Sequence, residues 1–202
     1  MRYRSYSIIT DLKKQMIPPY DTPQHLLYFH AEDGNFDALE SVITQGGIDI
    51  NGKDDYGWTA LSLAASHGKT DCVRLLLEHG ADPDLANDGD GWTPLIHAGH
   101  ASDYEAMRLL INKGANIHAR DAEDGRTALM WCASWGDCAG VDILMAAGAH
   151  LNDTDNRGET AVSLAGKRMK ADDFARFKQA ADGQKNRLQH YRSYLKNNHL
   201  KR

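Results

Sequence analysis

Apolar positions along this chain recur with two nested periods. Within short segments they follow the 3.6-residue spacing of a helix. Val73, Leu76 and Leu77 share one face, as do Met107, Leu110 and Ile111, and then Val141, Leu144 and Met145. Over longer distances each group returns after 33 or 34 residues, and small residues keep step with it. Gly57, Gly91, Gly125 and Gly158 form one column, Thr59, Thr93, Thr127 and Thr160 a second, and Gly46, Gly80, Gly114 and Gly148 a third. A period of this length signals stacked supersecondary units in place of one closed core.

Each unit predicts two helices. The G-x-T-[AP]-L segment starts the first, because a Thr side chain accepts from backbone N–H groups in the opening turn and Pro94 suits an early helical position. About eight residues on come small pairs, Ala64-Ala65, Ala98-Gly99, Cys132-Ala133 and Ala165-Gly166, which let neighbouring helices approach closely. Gly68 and Gly136 end that helix. The second helix carries the apolar triplets, and Gly80, Gly114 and Gly148 close it.

These residues resemble the ankyrin repeat, whose pattern is D-x-x-G-x-T-P-L-H-x-A-A-x-x-G followed by a second helix ending L-L-x-x-G-A. The match recurs in register four times over roughly 54–182. A fainter copy at 22–53 keeps the columns with Leu27, Ala31, Gly34, Leu39, Val42, Ile43 and Gly46. Departures are specific. The family's His after Leu is replaced by Ser62, Ile96, Met130 and Ser163; Ser102 replaces a helix-ending Gly; and His30 replaces a small Ala. Met169 and Lys178 stand in Gly and Leu columns of the last repeat, as a solvent-facing cap allows.

The resemblance implies an all-α ankyrin-repeat solenoid: about five helix-turn-helix repeats joined by β-hairpin-like loops, with capping helices at both ends. The repeats are expected at 21–53, 54–87, 88–121, 122–155 and 156–182. Residues 1–20 form a non-repeat lead-in or cap, with Ser7–Met16 as a short helix that Pro18-Pro19 stops. Residues 183–202 read as a basic amphipathic helix, with Leu188, Tyr191 and Leu195 along one side. That helix either caps the stack or binds an acidic or membrane surface separately. Extra residues at Gly46-Gly47, Asn87–Asp90 and Asp121–Asp124 fall in the loops that join repeats, where additions are tolerated.

Composition adds a charge asymmetry. The chain has 23 Lys+Arg and 28 Asp+Glu. Residues 1–20 hold four basic and one acidic side chain, and 183–202 hold six basic and none acidic, which leaves 13 basic and 27 acidic in 21–182, a net −14. Such a body repels nucleic acid and favours a basic partner. No apolar run reaches the ~18 residues of a membrane span, and no secretory signal is evident, so a cytoplasmic location is expected. Cys72 and Cys132 fall in buried columns and Cys138 near a helix start; their spacing fits neither a zinc ribbon nor a disulfide framework.

Proteins resembling this pattern bind other proteins through hairpin tips and the inner face of the first helices. Carried over by position, the expected partner-binding residues are Asp55, Tyr56, Trp58, Asp90, Trp92, Glu123, Asp124, Arg126 and Arg157 at the tips, and His67, His100, Trp135 and Arg168 at first-helix ends. Trp58 and Trp92 share a column and are expected as exposed anchors side by side. Trp131 sits in a packing column. The partner is expected to be a protein with a basic patch and an apolar centre, rather than a nucleic acid or a small-molecule substrate. One version is neutralisation of a basic enzyme, as an immunity protein does a toxin. Alternatives are a regulatory subunit or an adaptor recruited through the basic tail, and a metal-dependent enzyme. For catalysis there is no G-x-S-x-G, P-loop, H-E-x-x-H or G-x-G-x-x-G segment. The i, i+3 pair His97 and His100 lacks an acid or Cys at ligand spacing in its helix. No cofactor, metal ligand or catalytic residue is assigned.

Overall fold

The computed structural model describes residues 22–183. The expected lead-in at 1–20 lies outside them, and so does the expected C-terminal helix beyond Gly183. Within them, helices follow in pairs: α1 (Pro23–Asp33) and α2 (Phe36–Gln45), α3 (Ala60–Ser66) and α4 (Thr70–Glu78), α5 (Pro94–His100) and α6 (Tyr104–Asn112), α7 (Ala128–Trp135) and α8 (Cys138–Ala146). A last short helix, α9 (Ala161–Ala165), is followed by helical residues 171–183. First helices pack in one row, α1 on α3, α3 on α5, α5 on α7 and α7 on α9; second helices pack in another, α2, α4, α6, α8. The described chain is thus an all-α stack, as the 33- to 34-residue period predicts.

The threonine column explains where first helices begin. Thr59, Thr93, Thr127 and Thr160 have extended backbone, and each side chain accepts from the N–H of the third helical residue: Ser62, Ile96, Met130 and Ser163 in turn. Ser163 returns the bond to the Thr160 backbone, closing a capping box. Asn35, Asp103 and Asp137 cap second helices the same way. Ser102, in the position where a helix-ending Gly is expected, takes φ 55, and it is the one non-Gly residue of positive φ among the described residues.

The turn glycines do more than supply positive φ. A Cβ on Gly57 would lie 2.5 Å from Asp88 Cβ, one on Gly91 2.8 Å from Ala122, and one on Gly125 2.5 Å from Asn156 Oδ1. Each therefore leaves room for the first turn residue of the next unit. Backbone bonds pass through the same gap: Asp88 N–H donates to Gly57 O (3.1 Å), Ala122 to Asp90 O (2.9 Å) and Asn156 to Asp124 O (2.9 Å). Two turns also carry an isolated antiparallel bridge, Lys53–Thr59 and Arg120–Thr127. Side chains add further ties between units, Thr70 Oγ1 to Asp103 (2.6 Å) and Tyr104 OH to Asp137 (2.9 Å).

The core runs the length of the stack. Leu61, Leu76, Leu95, Leu110, Leu129 and Leu144 are fully buried, with Ala64, Ala65, Ala98 and Ala133 between helices. At Gly99 a Cβ would approach Cys132 Sγ to 3.1 Å, so α5 and α7 meet there almost backbone to thiol. Cys72 and Cys132 are buried free thiols, and burial pushes both up from the ordinary thiol value. Phe177 is buried and Phe174 half-buried against the last unit. Truncating any one of the fully buried leucines to Ala costs about 2–5 kcal/mol.

Candidate functional site

Four of the turn acids hold their own turns. Asp54 Oδ1 accepts from the Tyr56 and Trp58 N–H groups (2.9 Å each), and Asp90 Oδ1 from Trp92 N–H (3.0 Å). Asp121 Oδ1 accepts from Asp124 and Gly125 (2.7 and 2.9 Å), and Asp155 Oδ1 from Arg157 and Glu159 (2.9 Å each). These are Asx turns, and they fix the backbone from which Trp58 and Trp92 project.

The tryptophans then assemble. Trp92 lies at the centre, with ring centroids of His97, His100, Trp131 and Trp135 at 5.3, 5.5, 5.2 and 5.8 Å. Trp131 and Trp135 are stacked at 5.4 Å, and His100 meets Trp135 edge-on at 5.0 Å. Trp58 joins through His97, 4.6 Å away. Trp131 Nε1 donates to Asp121 Oδ2 at 2.6 Å, and the Arg126 guanidinium covers its ring at 4.9 Å. Six rings from three consecutive units thus form one continuous cluster along the turns and the α5 and α7 faces.

Two expectations of exposure are corrected. Trp92 is only 8% exposed, because the α7 tryptophans of the next unit close over it. Arg126 is also 8% exposed, for an electrostatic reason: it sits within an acid cage. Its Nε donates to Asp155 Oδ2 at 3.0 Å, and its terminal nitrogens lie 3.7 Å from Asp124 and 3.8 Å from Glu159. Burial alone would raise the Asp155 carboxyl, but bonds from the Glu159 and Arg157 backbones and the Arg126 side chain hold it below the usual carboxylate range.

The other expected residues sit in the turns and at or just beyond the ends of the first helices. Tyr56 is 48% exposed. Asp55, Glu123, His67, His100, Arg157 and Arg168 are exposed, while Trp58, Asp90, Asp124 and Trp135 are half-buried. Arg157 pairs with Asp124 at 3.3 Å. Lys167 pairs with Glu159, so the basic last tip is partly neutralised from within. His67 Nε2 stands 3.8 Å from Glu32.

Two further histidine arrangements emerge. His97, 1% exposed, leaves Nε2 without a hydrogen-bond partner, and burial with His100 and His67 nearby lowers it to about pKa 3. It is a neutral packing ring between Trp58 and Trp92. Separately, His118, His150 and Asp153 bring donor atoms within 4.8 Å of one another. The repeat pattern gives no sign of this trio, because His118 and His150 occupy different columns, two positions out of register. Only the stacking of one turn on the next brings them together.

No described helix is long and apolar enough to cross a membrane. A family model described as ankyrin repeats (3 copies) matches residues 10–87, 27–121 and 82–155. No curated protein matches the sequence.

Proposed function

The chain belongs to the ankyrin-repeat family, and from that premise as a protein–protein interaction module we propose that it holds one protein partner on the face carrying Tyr56, Trp58, His100 and Trp135. The observation that supports this reading most is the ring cluster. Its inner member, Trp92, is locked among four neighbours, while Trp58 and Trp135 keep part of their surface open and Tyr56 stands nearly half exposed. Rings already fixed in place lose little freedom on binding, which is what an interface anchor requires. Asp55, Asp88 and Glu123 are exposed around the turns. With the net −14 of residues 21–182, they favour a partner with a basic patch around an apolar centre. A specific form of the reading is neutralisation of a basic enzyme, as an immunity protein neutralises a toxin. No catalytic step is part of it.

The test is capture of the partner on the immobilised full chain, followed by binding measurements with Tyr56→Ala and Trp135→Ala. Each should weaken affinity at least about tenfold, the ~1.4 kcal/mol expected of an anchor residue. Raising salt should slow association through loss of steering. Affinity unchanged in both variants removes the proposed face; a flat salt response removes the basic-partner element and leaves the face standing.

A further inference from the structure

We propose that His118, His150 and Asp153 form a site for a divalent transition-metal ion, zinc foremost, clasping the turn after α6 to the turn after α8. The two imidazole rings lie 3.9 Å apart at 31°, and Asp153 Oδ2 is 3.9 Å from His150 Nδ1. Two nitrogens and one carboxylate oxygen thus converge from two adjacent units. That donor set suits zinc and its neighbours in the first transition row; calcium and magnesium prefer all-oxygen shells.

The turns that carry the donors are well held. His118 N–H donates to Asn116 Oδ1 at 3.0 Å, and Leu151, next to His150, is buried. Tetrahedral zinc with bonds of about 2.0–2.2 Å needs donors roughly 3.3 Å apart. The present donor separations, all within 4.8 Å, must close by at most about 1.5 Å, while the stacked rings open from 3.9 Å to about 5 Å between centroids. His150 has a side chain 64% exposed.

One competitor is present. The Arg120 guanidinium lies 3.7 Å from Asp153 Oδ2, but it is fastened by NH1 to Gly125 O and Thr154 O at 2.6 and 2.7 Å. It keeps those bonds when the carboxylate turns to a metal. Three protein donors leave a fourth position for water, and the ion adds a cross-link to the packing, turn bonds and side-chain ties that already join these two units. Binding only the folded stack, it stabilises by mass action. The clasp is independent of the partner face.

The test is a titration of the full chain with zinc chloride, followed by calorimetry, using wild type, His118→Ala, His150→Ala and, as a variant outside the cluster, His79→Ala. Wild type and His79→Ala should bind one equivalent alike. His118→Ala and His150→Ala should each lose at least about tenfold in affinity. Cobalt should give the intense visible absorption of a four-coordinate site in wild type and lose it in His150→Ala. At a hundredfold excess over the dissociation constant, zinc should raise the wild-type Tm by about 5–10 °C. Circular dichroism of the variants establishes that they remain folded, which the exposure of His150 favours. Absence of a one-equivalent transition below about 100 µM zinc, or affinity that survives both His→Ala substitutions, overturns the proposal.

Discussion

Acidification should destabilise the fold through one residue in particular, His97. Its ring is 1% exposed, lies against Trp58 and Trp92, and has His100 and His67 as its titratable neighbours. Burial and those neighbours lower it to about 3 in the folded state, against about 6.5 when unfolded. A depressed pKa gives stability that is present above the unfolded value and lost as pH falls toward the folded one. At pH 7 almost all of it remains. At pH 5 the unfolded chain has taken up the proton and the folded chain has not, which costs about 2 kcal/mol relative to pH 7.

His97→Leu isolates this contribution. Leu fills a similar volume and does not titrate, and it removes a buried ring nitrogen that has no partner. Urea unfolding of both proteins at pH 7, 6 and 5 gives the comparison. His30, His100 and His118 are also lowered, chiefly by burial, so wild type and variant will both lose stability on acidification. The difference between them should change by about 2 kcal/mol over the range, with wild type losing more. If the two curves stay parallel within about 0.5 kcal/mol, His97 does not remain neutral in the folded chain and the account of the cluster's centre fails.

Substitutions at three other positions probe separate parts of the fold. Arg126→Met strands the buried Asp155 carboxylate; it should cost about 3 kcal/mol and lower Tm by about 6–12 °C at pH 7. Because Asp155 is held below its usual value, that deficit should shrink below about pH 4, as protonation removes the stranded charge; a deficit independent of pH in thermal scans contradicts the ion-pair explanation. Ser102→Gly relieves the one non-Gly positive φ among the described residues and should raise stability by up to about 1 kcal/mol by chemical denaturation; a loss would mean that the Ser side chain matters more than its backbone. Trp92→Ala should cost about 3–5 kcal/mol, and Trp92→Phe much less. If Trp92 supports the outer rings without meeting the partner, binding should fall with Ala and survive with Phe; loss with both would make Trp92 a direct contact.

The helix pairs were legible in the sequence because each obeys a local rule. A Thr that caps, a pair of small residues that packs and a Gly that turns act within about ten residues, and the period repeats the pattern four times. The turn glycines show where local rules stop: positive φ accounts for the column, but the 2.5 Å approach to Asp88 or Asn156 comes from the next unit. The ring cluster exceeded local rules in the same way. Trp58 and Trp92 share a column, so translation alone suggests two exposed rings side by side. Translation cannot register that Ser62 and Leu63 are followed, one unit later, by Ile96 and His97, and then by Met130 and Trp131. Those substitutions along successive first helices place an imidazole and then an indole beside the column and bury Trp92. Arg126 follows the same logic, since a tip position is buried once Asp155 arrives from the following turn. In a stack each unit supplies the environment of the one before. Fold therefore follows from what the units share, while the site follows from how consecutive units differ, and that second quantity is set only once they touch.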